Sequence, residues 1–199
     1  MDRALYRWIN RLADRTTWAH GIFTAYAKAG VVLFALLLLV TYLHARRQDN
    51  PIELAISVWS GAAALVALGI GQLIGNAMDR LRPYEAMSDV HVLISRTSDF
   101  SFPSDHATVA GAVAVGIYLA NRKWGTIAVI AAVIMAFTRV YVGAHYPSDV
   151  IAGLVLGGVV AATGRFLVVP VLVRFINRLS RTSLRPLLTV KSPSGKLVK

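Results

Sequence analysis

The chain has 199 residues, no cysteine, a formal net charge of +11, 56% hydrophobic residues and only 16% charged ones. A soluble domain carries roughly 25% charged residues; this composition, with a mean hydropathy of +0.57, excludes a disordered basic tail, a disulfide-stapled secreted scaffold and a soluble nucleic-acid binder. It predicts one integral-membrane domain over residues 1–199, with the bilayer as its medium and no nucleic acid as partner.

Residues 1–19 come first. Leu5, Trp8, Ile9 and Leu12 recur at helical spacing, and Arg3, Arg7, Arg11 and Arg15 line another face. This pattern predicts an amphipathic helix in the headgroup region and does not fit a secretory signal. Apolar runs follow at about 21–43, 54–78, 104–120, 124–142 and 147–168. A bilayer core of about 30 Å needs about 20 apolar residues per helix, and these runs lack the alternation of a barrel strand. The predicted fold class is therefore all-α, a polytopic transmembrane helical bundle of about five spans plus the interfacial helix. Gly71/Gly75 and Gly153/Gly157 are small-residue pairs suited to close helix packing.

With five spans, the 44–53 loop, the 121–123 turn and a basic tail at 169–199 share one side. That side holds Arg46, Arg47, Arg122, Lys123, Arg174, Arg178, Arg181, Arg185, Lys191, Lys196 and Lys199. The excess of positive charge makes it cytoplasmic. The 79–103 and 143–146 loops then face outward, together with the arginine-rich N-terminal helix.

Charged groups beside membrane spans are costly and read as functional. Three clusters fall on the outward side: Arg80-Leu81-Arg82-Pro83; Phe102-Pro103-Ser104-Asp105-His106; and Thr138-Arg139 with His145, Pro147 and Asp149. Arginine presents a planar fork suited to phosphate oxygens. Ser104 is a candidate N-cap, leaving N–H groups of the following turn for an anion. Two histidines allow one to attack while the other protonates a leaving group, and Asp149, four residues after His145, is placed to orient that ring. Arginines around paired histidines favour phosphoryl over acyl transfer. His20, His44 and His91 stand apart from these spacings, and Arg96 and Asp99 read as a solvated loop pair.

These clusters resemble the three-part signature of the type 2 phosphatidic acid phosphatase (PAP2) superfamily, K-x6-R-P, P-S-G-H and S-R-x5-H-x3-D. This chain carries Arg82-Pro83, Pro103-Ser104-Asp105-His106, and Thr138-Arg139 with His145 and Asp149, in that order, and the likeness covers about residues 25–165. The resemblance implies that His145 attacks phosphorus to form a phosphohistidine. His106 protonates the leaving oxygen, Asp149 orients His145, and Arg82, Arg139 and the backbone at Ser104 and Asp105 hold the phosphate. It implies neither a metal nor a cofactor.

Two departures stand out. The motif lysine falls at Gly75, with Arg80 as its candidate substitute at the phosphate. The motif glycine is Asp105, a change found in bacterial members resembling undecaprenyl-diphosphate phosphatases, and expected to face Arg80, Arg96 or solvent. The expected substrate is a phosphorylated membrane lipid outside the cytoplasm, foremost a polyprenyl diphosphate. A phosphorylated glycerolipid or polyprenyl sugar, or a non-hydrolytic lipid-phosphate transporter or scaffold, are the alternatives. Nothing in the sequence specifies an oligomeric state.

Overall fold

In the computed structural model, which describes residues 1–189, every regular element among the described residues is helical. Lys191, Lys196 and Lys199 of the basic tail lie outside the described residues. The N-terminal segment is α1 (Asp2–Asn10), α2 (Leu12–Arg15) and a 3-10 turn (Thr17–Ala19), rather than one unbroken amphipathic helix. The long helices follow: α3 (His20–Gln48) and α4 (Pro51–Met78). The turn between them is Asp49, in the left-handed region at φ 56°, and Asn50, whose side chain accepts from the N–H groups of Ile52 and Glu53. With Pro51 at the first helical position, these are the elements of a strong helix start.

After α4 the chain forms the short α5 (Pro83–Ala86), a long loop over 87–104, and then α6 (Asp105–Ala120), α7 (Arg122–Tyr141) and α8 (Pro147–Leu167). The amphipathic α9 (Val169–Leu179) and α10 (Arg185–Leu188) complete the described chain. Of the five predicted spans, α3, α4, α7 and α8 are long and apolar enough to cross a membrane. The sixteen-residue α6 is shorter, about 24 Å at 1.5 Å per residue. It compensates by position, packing against α4, α7 and α8 with Ala107, Ala110, Ala112, Val113 and Ile117 buried.

Close approach of α6 and α8 requires glycine. A Cβ at Gly153 would lie 2.6 Å from the Ser104 carbonyl oxygen, and one at Gly157 would collide with the Thr108 carbonyl. The expected role of this pair therefore holds. Gly71 meets both Pro103 and Leu156 of α8, whereas Gly75 faces the loop before α6 at Phe102. The inner faces are rich in alanine, while Leu36, Leu65, Leu73, Val133, Val155 and Phe166 are exposed on the outside. This distribution suits a lipid surround, in which helices associate through packing of small residues.

The 79–104 loop, the 142–146 loop and α1 gather at one end of the bundle, where Asn10 hydrogen-bonds the backbone of His91 and Tyr141. The face of α1 turned inward carries Tyr6 and Asn10, both buried, while Leu5 and Trp8 are exposed. The inward face is thus rotated from the predicted stripe. Ile9 and Leu12 still pack against the core, while Leu5 and Trp8 face outward and the Asn10 hydrogen bonds join the apolar contacts in docking this segment. At the other end, α9 folds back instead of trailing: Val169 and Ile176 are buried against Ala45, Leu54 and Ile56.

Candidate active site

His145 stands in the five-residue connection between α7 and α8, 2% exposed. Its Nδ1 lies 2.8 Å from the Ser101 carbonyl oxygen, and its Nε2 lies 3.2 Å from Arg82 Nη1. A carbonyl only accepts, so the proton sits on Nδ1 and the Nε2 lone pair points at the guanidinium. Complete burial, followed by the positive charges of Arg139 and Arg82, holds this imidazole well below its ordinary value of 6.5. The ring is therefore neutral at neutral pH, the state a nitrogen nucleophile requires.

Arg82 follows the short turn after α4 and is 5% exposed. Its Nε donates to the Asp99 carbonyl at 3.1 Å, its Nη2 to the Asp99 carboxylate at 2.8 Å, and its Nη1 to the Ala144 carbonyl at 3.2 Å. Glu85 accepts from the Arg82 N–H, fastening the start of α5. Asp99 is thus the partner of Arg82, while Arg96 lies over the Tyr84 ring at 5.6 Å. The expected Arg96–Asp99 pair gives way because the buried guanidinium has greater need of a counter-charge. Burial alone would raise Asp99, but hydrogen bonds from Thr97 and Arg82 and the Arg82 charge hold its carboxyl below the usual carboxylate range.

Arg139 is also buried. Its Nη1 donates to the Ala27 carbonyl at 3.3 Å, and its Nε has no protein partner. The Ser104 hydroxyl is likewise buried without one, and makes no cap bond. The Ser104 N–H donates to the Asp149 carbonyl at 3.1 Å. This corrects its expected place as a capping side chain and leaves the first-turn N–H groups of Asp105, His106 and Ala107 without intrahelical acceptors. The His106 imidazole has no hydrogen-bond partner among the described residues, and the charges of Arg82 and Arg139 both act on it. Two arginines, two buried polar atoms without partners and a helix start supply the donor set of a candidate anion site.

Two expected contacts are replaced by others. Asp149 lies 3.9 Å from His145 Nδ1, beyond hydrogen-bond distance. Its Oδ2 accepts instead from Ser101 Oγ at 2.6 Å and the Tyr146 N–H at 2.9 Å, and its Oδ1 pairs with Arg80 at 2.5 Å. The carboxylate thus reaches the imidazole through Ser101, whose hydroxyl it holds and whose carbonyl holds the ring. Arg80, expected at the phosphate, is occupied by Asp149, Asp2 and Ser148. Gly75 has no room for the motif lysine, since a Cβ there would lie 2.9 Å from the Phe102 carbonyl oxygen.

Asp105 accepts from Gln72 Nε2 at 3.1 Å, away from Arg80 and Arg96. It lines a notch of about 120 Å³ with Gln72, Asn76 and Asp99. Among the outlying histidines, His91 pairs with Asp14 at 2.7 Å and His20 bonds the Ala13 carbonyl. Sequence reasoning missed Ser101 and Asp99. Their only signal was polar character within an outward loop next to a motif, which many solvated loop residues share.

Membrane-length helices carry a buried His145 beside Arg82 and within the field of Arg139 at one end of the bundle, which defines a helical membrane protein with a cationic, histidine-bearing candidate site. The PAP2 superfamily model matches residues 56–177, and the chain belongs to that superfamily. It is 33% identical over 156 residues to the undecaprenyl-diphosphatase BcrC of Bacillus subtilis, covering 78% of each chain. It is 40% identical over 104 residues to decaprenylphosphoryl-5-phosphoribose phosphatase of Mycobacterium tuberculosis, covering 52% of this chain and 56% of that one. The crystal structure of a transmembrane PAP2-type phosphatidylglycerolphosphate phosphatase from Bacillus subtilis has the same fold. Its TM-score is 0.61 at 21% identity, over 90% of this chain and 86% of that one. The family and these relatives indicate phosphatase activity in a membrane setting, with a lipid as substrate.

Proposed function

We propose that this protein hydrolyses a polyprenyl diphosphate to the monophosphate, with undecaprenyl diphosphate as the foremost substrate. The observation that carries the mechanism is the His145 ring: buried, neutral, protonated at Nδ1 and directing its Nε2 lone pair at Arg82. In this reading Nε2 attacks the terminal phosphorus and the bond to the bridging oxygen breaks; His106, charged once the diphosphate's negative charge offsets Arg82 and Arg139, gives its proton to that oxygen. Water then attacks the phosphohistidine, returning a proton to His106 and releasing inorganic phosphate with His145 restored.

Arg82, Arg139, the Ser104 hydroxyl and the first-turn N–H groups at Asp105 hold the three equatorial oxygens. Donors fixed around charge that spreads in the transition state contribute most to phosphoryl transfer. The arginines supply positive charge, so the reaction proceeds without a metal. Asp149 acts as a positioning residue, and Arg80 serves it rather than the phosphate.

The likeness to undecaprenyl-diphosphatase BcrC supports the diphosphate substrate. A phosphorylated polyprenyl sugar is the second reading, supported by the mycobacterial relative and by the amide and carboxylate lining of the 120 Å³ notch. Phosphate release from a panel of polyprenyl diphosphate, polyprenylphosphoryl phosphosugar, phosphatidylglycerol phosphate and phosphatidic acid, with chelator present, tests these assignments. Preference for the polyprenyl diphosphate supports the first; turnover of glycerolipids alone overturns both, and silence on the whole panel favours a non-hydrolytic role. Acid-labile, alkali-stable labelling that is absent in His145→Gln is expected for the intermediate.

The site faces away from the cytoplasm in this reading. Arg46, Arg47, Arg122, Lys123 and the arginines of α9 stand at the opposite end, where the positive-inside rule puts cytoplasm. An impermeant maleimide added to intact cells is expected to label Ser88→Cys in the exposed loop before α6. Protection of Ser88→Cys, with labelling of a cysteine at the other end, would invert the topology.

A further inference from the structure

The N-terminal helix is wired to the nucleophile loop by polar contacts. Asp2, Tyr6 and Asn10 recur every four residues and so share one face of α1. Asn10 holds the backbone at Tyr141 and His91, Tyr6 packs on Tyr146 with ring centroids 5.5 Å apart, and Asp2 reaches Ser148 and Arg80. The Asp2 carboxylate accepts from the Ser148 N–H at 3.0 Å, from the Ser148 hydroxyl at 2.6 Å and from Arg80 Nη2 at 2.6 Å.

Arg80 is held on several sides. Asp2 takes one terminal nitrogen, Asp149 and Ser148 take the other, and the guanidinium lies 4.2 Å over the Tyr146 ring. A flexible arginine side chain loses much rotational freedom when it is fixed. Asp149 is fully buried and needs its counter-charge in one position. With Asp2 removed, Arg80 can swing toward water and leave that carboxylate without its ion partner. The contact runs on through Ser101 Oγ on Asp149 to the Ser101 carbonyl on His145 Nδ1. Asp2 itself touches neither His145 nor the anion pocket, so it acts through other residues.

We propose that Asp2 is a positioning residue for the phosphatase reaction, holding Arg80 so that Asp149 and Ser101 keep the His145 imidazole in its attacking orientation. The inference rests on the proposed role of His145 and on the phosphatase reading above. It gives the inward face of α1 a part in positioning the nucleophile, although every residue of the family signature lies more than seventy positions further along the chain.

The test uses the full chain in detergent micelles with farnesyl diphosphate as probe, reading kcat, KM and the thermal unfolding midpoint. Asp2→Ala and Asp2→Asn are expected to lower kcat roughly tenfold, with KM within about twofold, as for a group coupled to the reacting centre through a network. Asp2→Glu, which keeps the carboxylate, is expected to recover most of the loss. On an Arg80→Ala background, Asp2→Ala is expected to cost nothing further.

Trp8→Ala, on the outer face of α1, is expected to leave kcat unchanged. Wild-type kcat in Asp2→Ala beside an inactive His145→Gln overturns this inference alone. An active His145→Gln overturns the underlying reading. A kcat loss that tracks a fallen unfolding midpoint, without recovery in Asp2→Glu, reduces Asp2 to a tether for α1 and also overturns the inference.

Discussion

Replacing Ser101 by alanine separates the observed arrangement from a direct carboxylate–imidazole contact. The substitution removes one oxygen from a side chain that is fully buried and donates to Asp149 Oδ2 at 2.6 Å. The backbone is unaltered, so the Ser101 carbonyl can still accept from His145 Nδ1, and the Ser101 N–H can still donate to the Arg80 carbonyl at 2.8 Å. What disappears is the link by which Asp149 holds the 101 segment.

A hydrogen bond to a charged acceptor contributes about 1.5–3 kcal/mol, and the serine leaves a buried carboxylate oxygen with the Tyr146 N–H as its remaining donor. Converted at 1.36 kcal/mol per factor of ten, a loss carried wholly into the transition state lowers kcat roughly 10- to 150-fold. KM should change by less than about threefold, because the anion pocket is untouched. The assay is steady-state phosphate release from the polyprenyl diphosphate in detergent, with single-turnover labelling to follow phosphoenzyme formation. Formation should slow, because the displaced ring is the proposed nucleophile. If Ser101→Ala retains kcat within about twofold of wild type, the relay through Ser101 is wrong and Asp149 acts on His145 directly.

Gly75→Lys, which restores the lysine of the family pattern, is expected to lower activity and stability; its Cβ would sit 2.9 Å from the Phe102 carbonyl and force the 100–103 segment aside, an overpacking cost of about 1–3 kcal/mol. Activity at or above wild type would refute that steric account. Gly157→Ala drives a methyl group against the Thr108 carbonyl where α6 and α8 cross. Its unfolding midpoint in detergent should fall by roughly 2–10 °C.

The folded-state value of His145 lies below the ordinary 6.5, so between those two values the unfolded chain binds the extra proton. The contribution of His145 to stability is complete above pH 6.5 and is lost as pH falls toward the folded value. A wild-type unfolding midpoint that drops between about pH 6.5 and pH 5, with a shallower drop in His145→Gln, checks the sign; parallel curves would refute it.

Much of this protein was legible in one dimension. Hydropathy alone determined a helical membrane bundle, because lipid leaves the backbone no other partners and each span must be about 20 residues long. The parity of those spans determined that Arg82, His106, Arg139, His145 and Asp149 would share one end. Residue type pointed to phosphate as the ligand proposed for that end, since guanidinium forks beside paired imidazoles suit few other ligands.

Tertiary structure decided who touches whom. Asp149 is four residues from His145, yet α8 begins at Pro147 and its first turn directs the carboxylate at Ser101, leaving 3.9 Å to the ring. Arg80 sits two residues from Arg82, yet one guanidinium enters the His145 pocket while the other is drawn off by two carboxylates, one of them supplied by α1. Asp99, Ser101 and Asp2 join the site from a polar loop and a distant helix, where neither hydropathy nor a short motif distinguishes a buried partner from a solvated residue. Spacing along the chain constrains which end of a bundle a residue reaches. Hydrogen-bond pairing inside that end depends on ångström-scale directions that the packing of α1, α6 and α8 alone sets.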